Sequence, residues 1–246
     1  MRPLLPLPAA ATLALTGTAA YAAFHPQSQL FGRVLIAPRL PGQIALTFDD
    51  GPNPTATPEL LDLLAARNVR ATFFLIGRYA LAQPELTRRI HAAGHLVGNH
   101  TMTHPKLPFC SHARIAAELR DGQCAIEDTV GASVRFFRPP HGARTPFVLR
   151  TARDLGLTTV NWNIITGDWV PVPATRISAR ITRGIARNQA RGYASNIVLH
   201  DGSQTTPTAD RSRTLAATAT LLGSHPSASF VTLDAWSSQH PGRSGV

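Results

Sequence analysis

The sequence contains little lysine and little cysteine. Lys106 is the only lysine, and Cys110 and Cys124 are the only cysteines. Disulfide-stabilised secreted domains carry many more cysteines, so this chain must depend on an apolar core. The pattern of residues 111–129 predicts a single helix, along which the two cysteines would lie about 21 Å apart. Because a disulfide needs Cα atoms within about 7 Å, we interpret both cysteines as unpaired structural residues.

Acidic residues are also scarce, with 14 Asp and Glu against 24 Lys and Arg and a formal charge of +10. A hydrophobic content of 43% and a charged content of 15% exclude a mainly disordered chain. The arginines look scattered over predicted helices and loops, whereas nucleic-acid binders more often concentrate them in one stripe. We therefore expect no nucleic-acid partner, but a basic surface that could attract anionic polymers.

Long apolar runs are missing beyond the N-terminal segment. Residues 1–23 combine Arg2, a middle rich in Leu, Ala and Thr, and a run of small residues that ends at Ala23. This layout is typical of a secretory signal peptide and predicts cleavage after Ala22 or Ala23. Prolines at positions 3, 6 and 8 shorten the apolar run, so we expect no stable membrane span unless the segment is retained as an anchor.

Short apolar runs alternate with helical patterns in the rest of the chain. Strands are predicted at 44–48, 69–76, 95–98, 135–138, 158–163, 196–200 and 229–233. Helices are predicted at 58–67, 80–93, 111–130, 145–155, 174–191 and 209–222. Strands separated by helices indicate a parallel sheet, and this number of units favours an α/β fold, a distorted (β/α) barrel of about seven parallel strands. Functional residues of such barrels gather at the C-terminal strand ends.

The predicted organisation has four parts. Residues 1–23 form a signal peptide or anchor, 24–41 a lead-in, 42–236 one large domain, and 237–246 a polar tail. A chain of 246 residues is long enough for one such domain with a full core.

Two adjacent carboxylates, Asp49 and Asp50, end the first predicted strand. Gly51 and Pro52 force a turn directly after them, and a bend there would bring both side chains toward one pocket. Like charges this close push their pKa values apart unless a cation stands between them. The pair therefore suggests one metal ligand and one proton acceptor, although an Asp-rich turn that caps the next helix would explain the motif taken alone.

A second motif, His-Thr-Met-Thr-His, occupies residues 100–104. On a helical turn, residues four apart share a face, so His100 and His104 would both point at one ion before Pro105 ends the turn. Two imidazoles and a carboxylate from elsewhere make a three-ligand site with open positions. That layout is expected of a catalytic metal.

Three further motifs follow later strands. Residues 138–142 read Arg-Pro-Pro-His-Gly, whose backbone is fixed by prolines and which could be only a rigid loop. An arginine there could instead orient a carboxylate base, and a fixed N–H could stabilise an oxyanion. Asp168-Trp169 and the strand that ends at His200 supply the other two motifs. A lone histidine is more often a core residue, but five polar strand-end motifs together indicate a shared site.

With these five motifs, the chain resembles the polysaccharide deacetylase family, the NodB-homology domain of carbohydrate esterase family 4, over residues 42–234. The resemblance implies a NodB-type barrel in which Asp49 is the base, Arg138 positions it, and Asp168 tunes the general acid His200. The implied metal ligands are Asp50, His100 and His104. The implied substrate contacts are Pro140, His141 through its backbone N–H, Trp169 and Leu199. The family's fourth motif commonly reads Asp-x-x-Asp-Trp, whereas this chain has Ile165 at the first acidic position, which bears on loop packing and substrate preference.

The resemblance also implies an activity. That activity is hydrolytic N-deacetylation of N-acetylglucosamine units in a peptidoglycan or chitin-like polysaccharide, with release of acetate. The cofactor would be a divalent metal, with Zn²⁺ favoured and Co²⁺, Mn²⁺ or Ni²⁺ as alternatives. The same fold and metal could instead act on a small or cyclic amide or an O-acetyl ester, or the protein could bind the cell wall without catalysis. The expected location is secreted or in the cell envelope.

Overall fold

A computed structural model describes residues 7–237, and from residue 16 onward it also describes the side chains. The start of the predicted signal peptide and all but the first residue of the predicted polar tail lie outside the described residues. The helices are α1 Leu7–Phe24, α2 Ala56–Ala65, α3 Gly77–Ala82, α4 Pro84–Ala92, α5 His112–Val130, α6 Pro146–Asp154, α7 Ala174–Ala190, α8 Ser212–Ser224 and α9 Asp234–Ser237. The strands are β1 Gln43–Gly51, β2 Thr72–Leu75, β3 Leu96–Asn99, β4 Phe136–Phe137, β5 Thr158–Thr159, β6 Ile164–Ile165, β7 Ser195–His200 and β8 Ser229–Phe230.

All strand pairs in the described chain are parallel, in the order β5-β4-β3-β2-β1-β7-β6, and β8 pairs with β1. The sheet curls so that β1 is central and β5 and β6 form its two edges. The predicted distorted (β/α) barrel of about seven parallel strands is confirmed. Because the strands run in the same direction, their C-terminal ends meet at one lip of the barrel.

The gap between the two edges is crossed by residues 160–163, which were predicted to continue a single strand. That prediction is wrong, because β5 and β6 pair with opposite edges of the sheet and the chain must leave one edge to reach the other. The amide of Asn196 on β7 joins the crossing segment to the lead-in. Its Nδ2 donates to the carbonyl of Asn161 at 2.7 Å and to that of Ile36 at 2.9 Å.

The predicted helix at 80–93 is also divided, because α4 begins at Pro84. Proline lacks the N–H that would continue α3, and it is well suited to the first position of a new helix. The cysteines are unpaired, as predicted. Cys124 is exposed on α5, however, so nothing in its packing supports the structural role expected of it.

Strand alternation divides the core into two layers. On β1, Leu46 and Phe48 pack toward the helices together with Leu64. Ala45 faces the barrel interior, where it packs with Phe74. Successive strand residues point to opposite faces, so this division also decides which side chains at the lip can reach the barrel interior.

The N-terminal helix leads into a segment that the barrel holds. Ala22 and Ala23 are buried, and the carbonyl of Ala23 accepts a hydrogen bond from the backbone N–H of Arg144 at 3.0 Å. The buried guanidinium of Arg144 donates to the carbonyls of His25 and Ser28. Cleavage after Ala22 or Ala23 stays a prediction, and these contacts mean that it would have to precede folding. No helix within residues 7–237 is both long and apolar enough to cross a membrane.

We expect Asn196→Ala to lower the free energy of unfolding by about 2–3 kcal/mol, because one buried and one half-buried carbonyl lose their hydrogen-bond donor. The measurement is chemical denaturation followed by circular dichroism. Gln189→Ala, an exposed amide on α7, is the control and should change stability little. Equal stability of the two variants would show that Asn196 does not hold the crossing segment.

Candidate active site

The two carboxylates at the end of β1 point into one pocket because the strand is irregular there. Strand alternation would send Asp49 and Asp50 to opposite faces. The pairing register with β2 shifts between Asp49 and Gly51, and Asp50 has a φ of 69°. A bulge of this kind re-aims a side chain, as the Gly-Pro turn suggested. Gly51 is required beside it, because a Cβ at that position would collide with the carboxylate of Asp201.

Asp50 meets both histidines of the second motif. Its Oδ1 lies 3.2 Å from Nε2 of His104 and 3.5 Å from Nε2 of His100. The three potential ligand atoms lie within 4.8 Å of one another. Nδ1 of His100 lies 2.7 Å from the carbonyl of Arg138, a contact that requires a proton on Nδ1 and leaves the Nε2 lone pair facing Asp50.

The chemistry of this cluster suits a cation. Oδ1 of Asp50 is buried without a hydrogen-bond partner, which is costly for a carboxylate oxygen unless a positive charge compensates it. Burial lowers the pKa of His104 to about 4 and that of His100 well below its usual value. Both imidazoles are therefore neutral at pH 7, the form that binds metals.

The histidine loop does not adopt the helical turn that the spacing predicted. Residues 100–105 are not helical, and Thr101 and His104 have φ values of 69° and 62°. Side chains replace the missing backbone hydrogen bonds. Oδ1 of Asn99 accepts from the Thr101 N–H at 2.8 Å, and Oγ1 of Thr101 accepts from the His104 N–H at 2.9 Å. The two imidazoles meet through this turn rather than through helical periodicity.

Sequence reasoning missed Glu118, which holds this loop from α5. Its buried carboxylate accepts from the Thr103 N–H at 2.8 Å and from the Thr103 hydroxyl at 2.6 Å. Its carbonyl also accepts from the Met102 N–H at 3.0 Å. One turn later, Gly122 lets the loop approach, since a Cβ there would lie 2.7 Å from the Thr101 carbonyl carbon. The sequence signal that could have identified Glu118 is its position, as a charged residue, on the apolar face of a predicted helix.

Asp49 is held by a buried arginine. Nη1 of Arg138 donates to Oδ1 of Asp49 at 2.7 Å and to Oγ1 of Thr47 at 2.6 Å. The guanidinium carbon lies 4.2 Å from the centre of the Phe74 ring. Burial raises the pKa of Asp49, and the charge of Arg138 opposes that rise without cancelling it. The second oxygen, Oδ2, lies toward the cluster, 3.9 Å from Nε2 of His100.

On the opposite side of the pocket, Asp168 holds His200. Its Oδ1 lies 2.9 Å from Nδ1 of His200, and its Oδ2 accepts from the His200 N–H at 2.8 Å. The hydroxyls of Thr166 and Thr214 also donate to this carboxylate. Burial alone would lower the pKa of His200, but the Asp168 charge and hydrogen bond outweigh it, and the pKa rises to about 9.

Of the four predicted substrate contacts, three lie at the pocket and one does not. His141, with a φ of 59°, has its ring centre 4.9 Å from that of His104, and the preceding residue, Pro140, is buried. The ring of Trp169 lies 5.3 Å from that of His200 and is half exposed. Leu199 does not line the pocket.

The prediction for Leu199 fails because of strand alternation. It pairs with Phe48, and both belong to the core between sheet and helices. Val198 pairs with Thr47, whose hydroxyl contacts Arg138 inside the barrel. The residue two positions before His200, rather than the one directly before it, shares the face that the site occupies.

A family model, curated relatives and solved structures all indicate one family for this chain. The family model described as polysaccharide deacetylase matches residues 38–160. A chitooligosaccharide deacetylase from Bradyrhizobium sp. is 41% identical over 65% of this chain and 70% of the relative. A peptidoglycan-N-acetylglucosamine deacetylase from Bacillus cereus is 37% identical over 73% of this chain and 79% of the relative. A family 4 acetyl xylan esterase from Clostridium thermocellum, solved with a cobalt ion, is 28% identical with a TM-score of 0.66 over 80% of this chain and 91% of that one.

The chain therefore belongs to the polysaccharide deacetylase family. The predicted family, the fold and the class of enzyme, a carbohydrate-modifying hydrolase, are confirmed. Deacetylases of this family depend on a divalent metal, and Asp50, His100 and His104 are the candidate ligands in the described part of this chain.

We expect Glu118→Ala to weaken binding of the divalent metal about tenfold, because groups that orient metal ligands typically contribute this much. Isothermal titration calorimetry of metal-stripped protein measures the effect, and faster amide exchange at Thr103 should accompany it. Asp128→Ala removes the same charge from an exposed position on α5 and is the control. Equal affinity of both variants would mean that Glu118 does not position the loop.

Proposed function

We propose that this protein hydrolyses the N-acetyl group of N-acetylglucosamine units in a polysaccharide of the peptidoglycan or chitin type. The observation that carries the proposal is the placement of two different proton-transfer groups beside one three-ligand cluster. Asp49 with Arg138 lies on one side, and His200 with Asp168 lies on the other. The deacetylase names of the relatives support the amide substrate and the sugar.

A divalent ion would be held by Asp50, His100 and His104, whose donor atoms already converge. We propose zinc, because two imidazoles and one carboxylate are a donor set common in catalytic zinc sites; Co²⁺, Mn²⁺ and Ni²⁺ are alternatives. When bound, such an ion supplies Lewis acidity toward water and toward the acetyl carbonyl.

The base in this proposal is Asp49. Its Oδ1 is occupied by Arg138, which leaves Oδ2, on the cluster side, to take the proton of the attacking water. The raised pKa of Asp49 makes it a stronger base than an exposed aspartate. Burial therefore makes this carboxylate more basic, and Arg138 fixes its orientation, and both properties suit a general base.

The acid in this proposal is His200. With a pKa of about 9 it carries a proton on both ring nitrogens at neutral pH. Nδ1–H donates to Asp168, so Nε2–H is free to protonate the leaving amine as the C–N bond breaks. The oxygen of water ends in acetate and the sugar keeps a free amine, so atoms and protons balance. The His141 N–H would stabilise the oxyanion, and Trp169 beside His200 would form a wall for the acetyl methyl group.

We also propose export to the cell surface or medium. The support is the composition of residues 1–23, which is typical of a secretory signal, and the location of polymers of the proposed type outside the membrane. Fractionation of cells that produce the full chain tests this proposal. Activity confined to the cytoplasm would contradict it.

The decisive experiment measures acetate release from N-acetylglucosamine oligomers and from peptidoglycan, using metal-stripped protein with and without zinc. We expect zinc-dependent release from at least one substrate. Asp49→Asn should reduce turnover at least 100-fold with metal content unchanged, whereas His104→Ala should lose the metal. Equal metal content in the two variants would contradict the ligand assignment, and no release by metal-loaded protein would favour a small amide or an O-acetyl ester.

The pH dependence should separate the acid from the base. Because His200 must carry a proton, the rate should fall as pH rises through its pKa of about 9. Asp168→Asn removes the charge that raises this pKa, so the alkaline limb should move to lower pH and the rate at neutral pH should fall about 100-fold or more. The acid limb, set by Asp49, should remain in place. An unchanged alkaline limb would show that His200 is not the acid.

A further inference from the structure

The arginines of α7 form one line, although they look scattered in the sequence. Arg176, Arg180, Arg183 and Arg187 recur at spacings of four, three and four residues, which places them on one side of the helix. We call these four residues the arginine stripe. Residues 169–200 contain no aspartate or glutamate, so nothing within that stretch neutralises the stripe.

A groove of about 620 Å³ runs along three residues of the stripe. One wall consists of Arg180, Arg183 and Arg187, and the other includes Trp162 and Ile165. No lining residue is a carboxylate. Ile165, at 53% exposure, gives this wall an exposed apolar side chain. An aspartate there would reduce the positive charge of the groove.

The middle arginine of the groove is left without a counter-charge. Arg180 donates to the carbonyl of Thr166 at 2.6 Å, and Arg187 donates to that of Asn163 at 3.1 Å. These two contacts fix the ends of the groove against the segment that contains β6. Arg183 lies exposed between them and has no hydrogen-bond or ion-pair partner among the described residues. An unpaired guanidinium flanked by two more favours a carboxylate or phosphate ligand.

The segment that lines the groove leads in the chain to the acid side of the active site. Thr166, whose carbonyl receives Arg180, donates its hydroxyl to Asp168 at 3.0 Å. Ile165 and Trp169 are exposed apolar residues of this segment, and a polymer bound at His200 that followed them would reach the stripe. Nucleic acid fits less well, because Trp162 is the only Phe, Tyr or Trp in the lining of the groove and is 8% exposed, so it offers bases little surface on which to stack.

We propose that this groove binds carboxylate groups carried by the glycan, so that the enzyme prefers an anionic N-acetylglucosamine polymer to a neutral one. The inference rests on the proposed deacetylase function and adds the class of substrate to it. Arg183 would supply the free charge, and Ile165 would keep the opposite wall apolar.

The test compares glycan strands from peptidoglycan with the same strands after their carboxylates have been converted to amides. We expect KM to be about three- to tenfold lower for the carboxylate strands, an advantage that high salt removes. Arg183→Gln and Ile165→Asp should abolish the difference and leave kcat on the amidated strands unchanged. Arg176→Gln, on the same helix but outside the groove, is the matched control and should keep the preference.

Two results would overturn the proposal. One is an equal KM for both kinds of strand in the unmodified protein, and the other is equal behaviour of Arg183→Gln and Arg176→Gln. Tighter binding of a single-stranded oligonucleotide than of the carboxylate strands would identify a general polyanion surface instead. If the metal-loaded, unmodified protein releases no acetate from either kind of strand, the deacetylase function has failed, and calorimetric binding of the two kinds of strand then tests the groove separately.

Discussion

The buried contact between Arg138 and Asp49 is the interaction on which the site depends. Two charges inside a barrel are tolerable only when each satisfies the other, and the guanidinium is further held by Thr47 and by the face of Phe74. The same arginine orients a metal ligand, because its carbonyl accepts from His100. One residue at the end of β4 thus fixes both the proposed base and one imidazole, so replacing it would disturb two functions at once.

Irregular backbone at the barrel lip brings together side chains that regular strands would point to opposite faces. A strand that ends in two aspartates would present only one of them inward, and the positive φ of Asp50 is what turns both toward the pocket. The histidine loop likewise depends on positive φ at Thr101 and His104. Non-glycine residues rarely adopt this conformation, and here it recurs where side chains must converge, supported by neighbours such as Glu118.

The sequence was sufficient for the barrel and for most side chains of the site, because the motifs lie at strand ends and strand ends meet at one lip. Three predictions failed because they rested on local sequence patterns that tertiary contacts override. The spacing of His100 and His104 is compatible with a helix, but side-chain hydrogen bonds stabilise a different turn. Leu199 was predicted to line the pocket, but strand alternation turns its side chain toward the core and leaves Val198 on the face of the site. Residues 158–163 are apolar enough for one strand, yet closing the barrel requires that they change edges.

Charge is distributed unequally between the inside and the outside of this lip, and the difference follows from burial. Inside, Asp49 and His200 each have a partner of opposite charge and the two imidazoles are kept neutral, because an unpaired charge is costly there. Asp50 is the exception, and its unpartnered oxygen marks the place where a cation would bind. Outside, Arg183 remains charged without a partner at little cost, since water solvates it. Such a charge contributes little to folding, so the proposed role of Arg183 is to bind a ligand rather than to stabilise the fold. The arginine stripe is therefore where substrate selection can vary without any change in the proton-transfer groups.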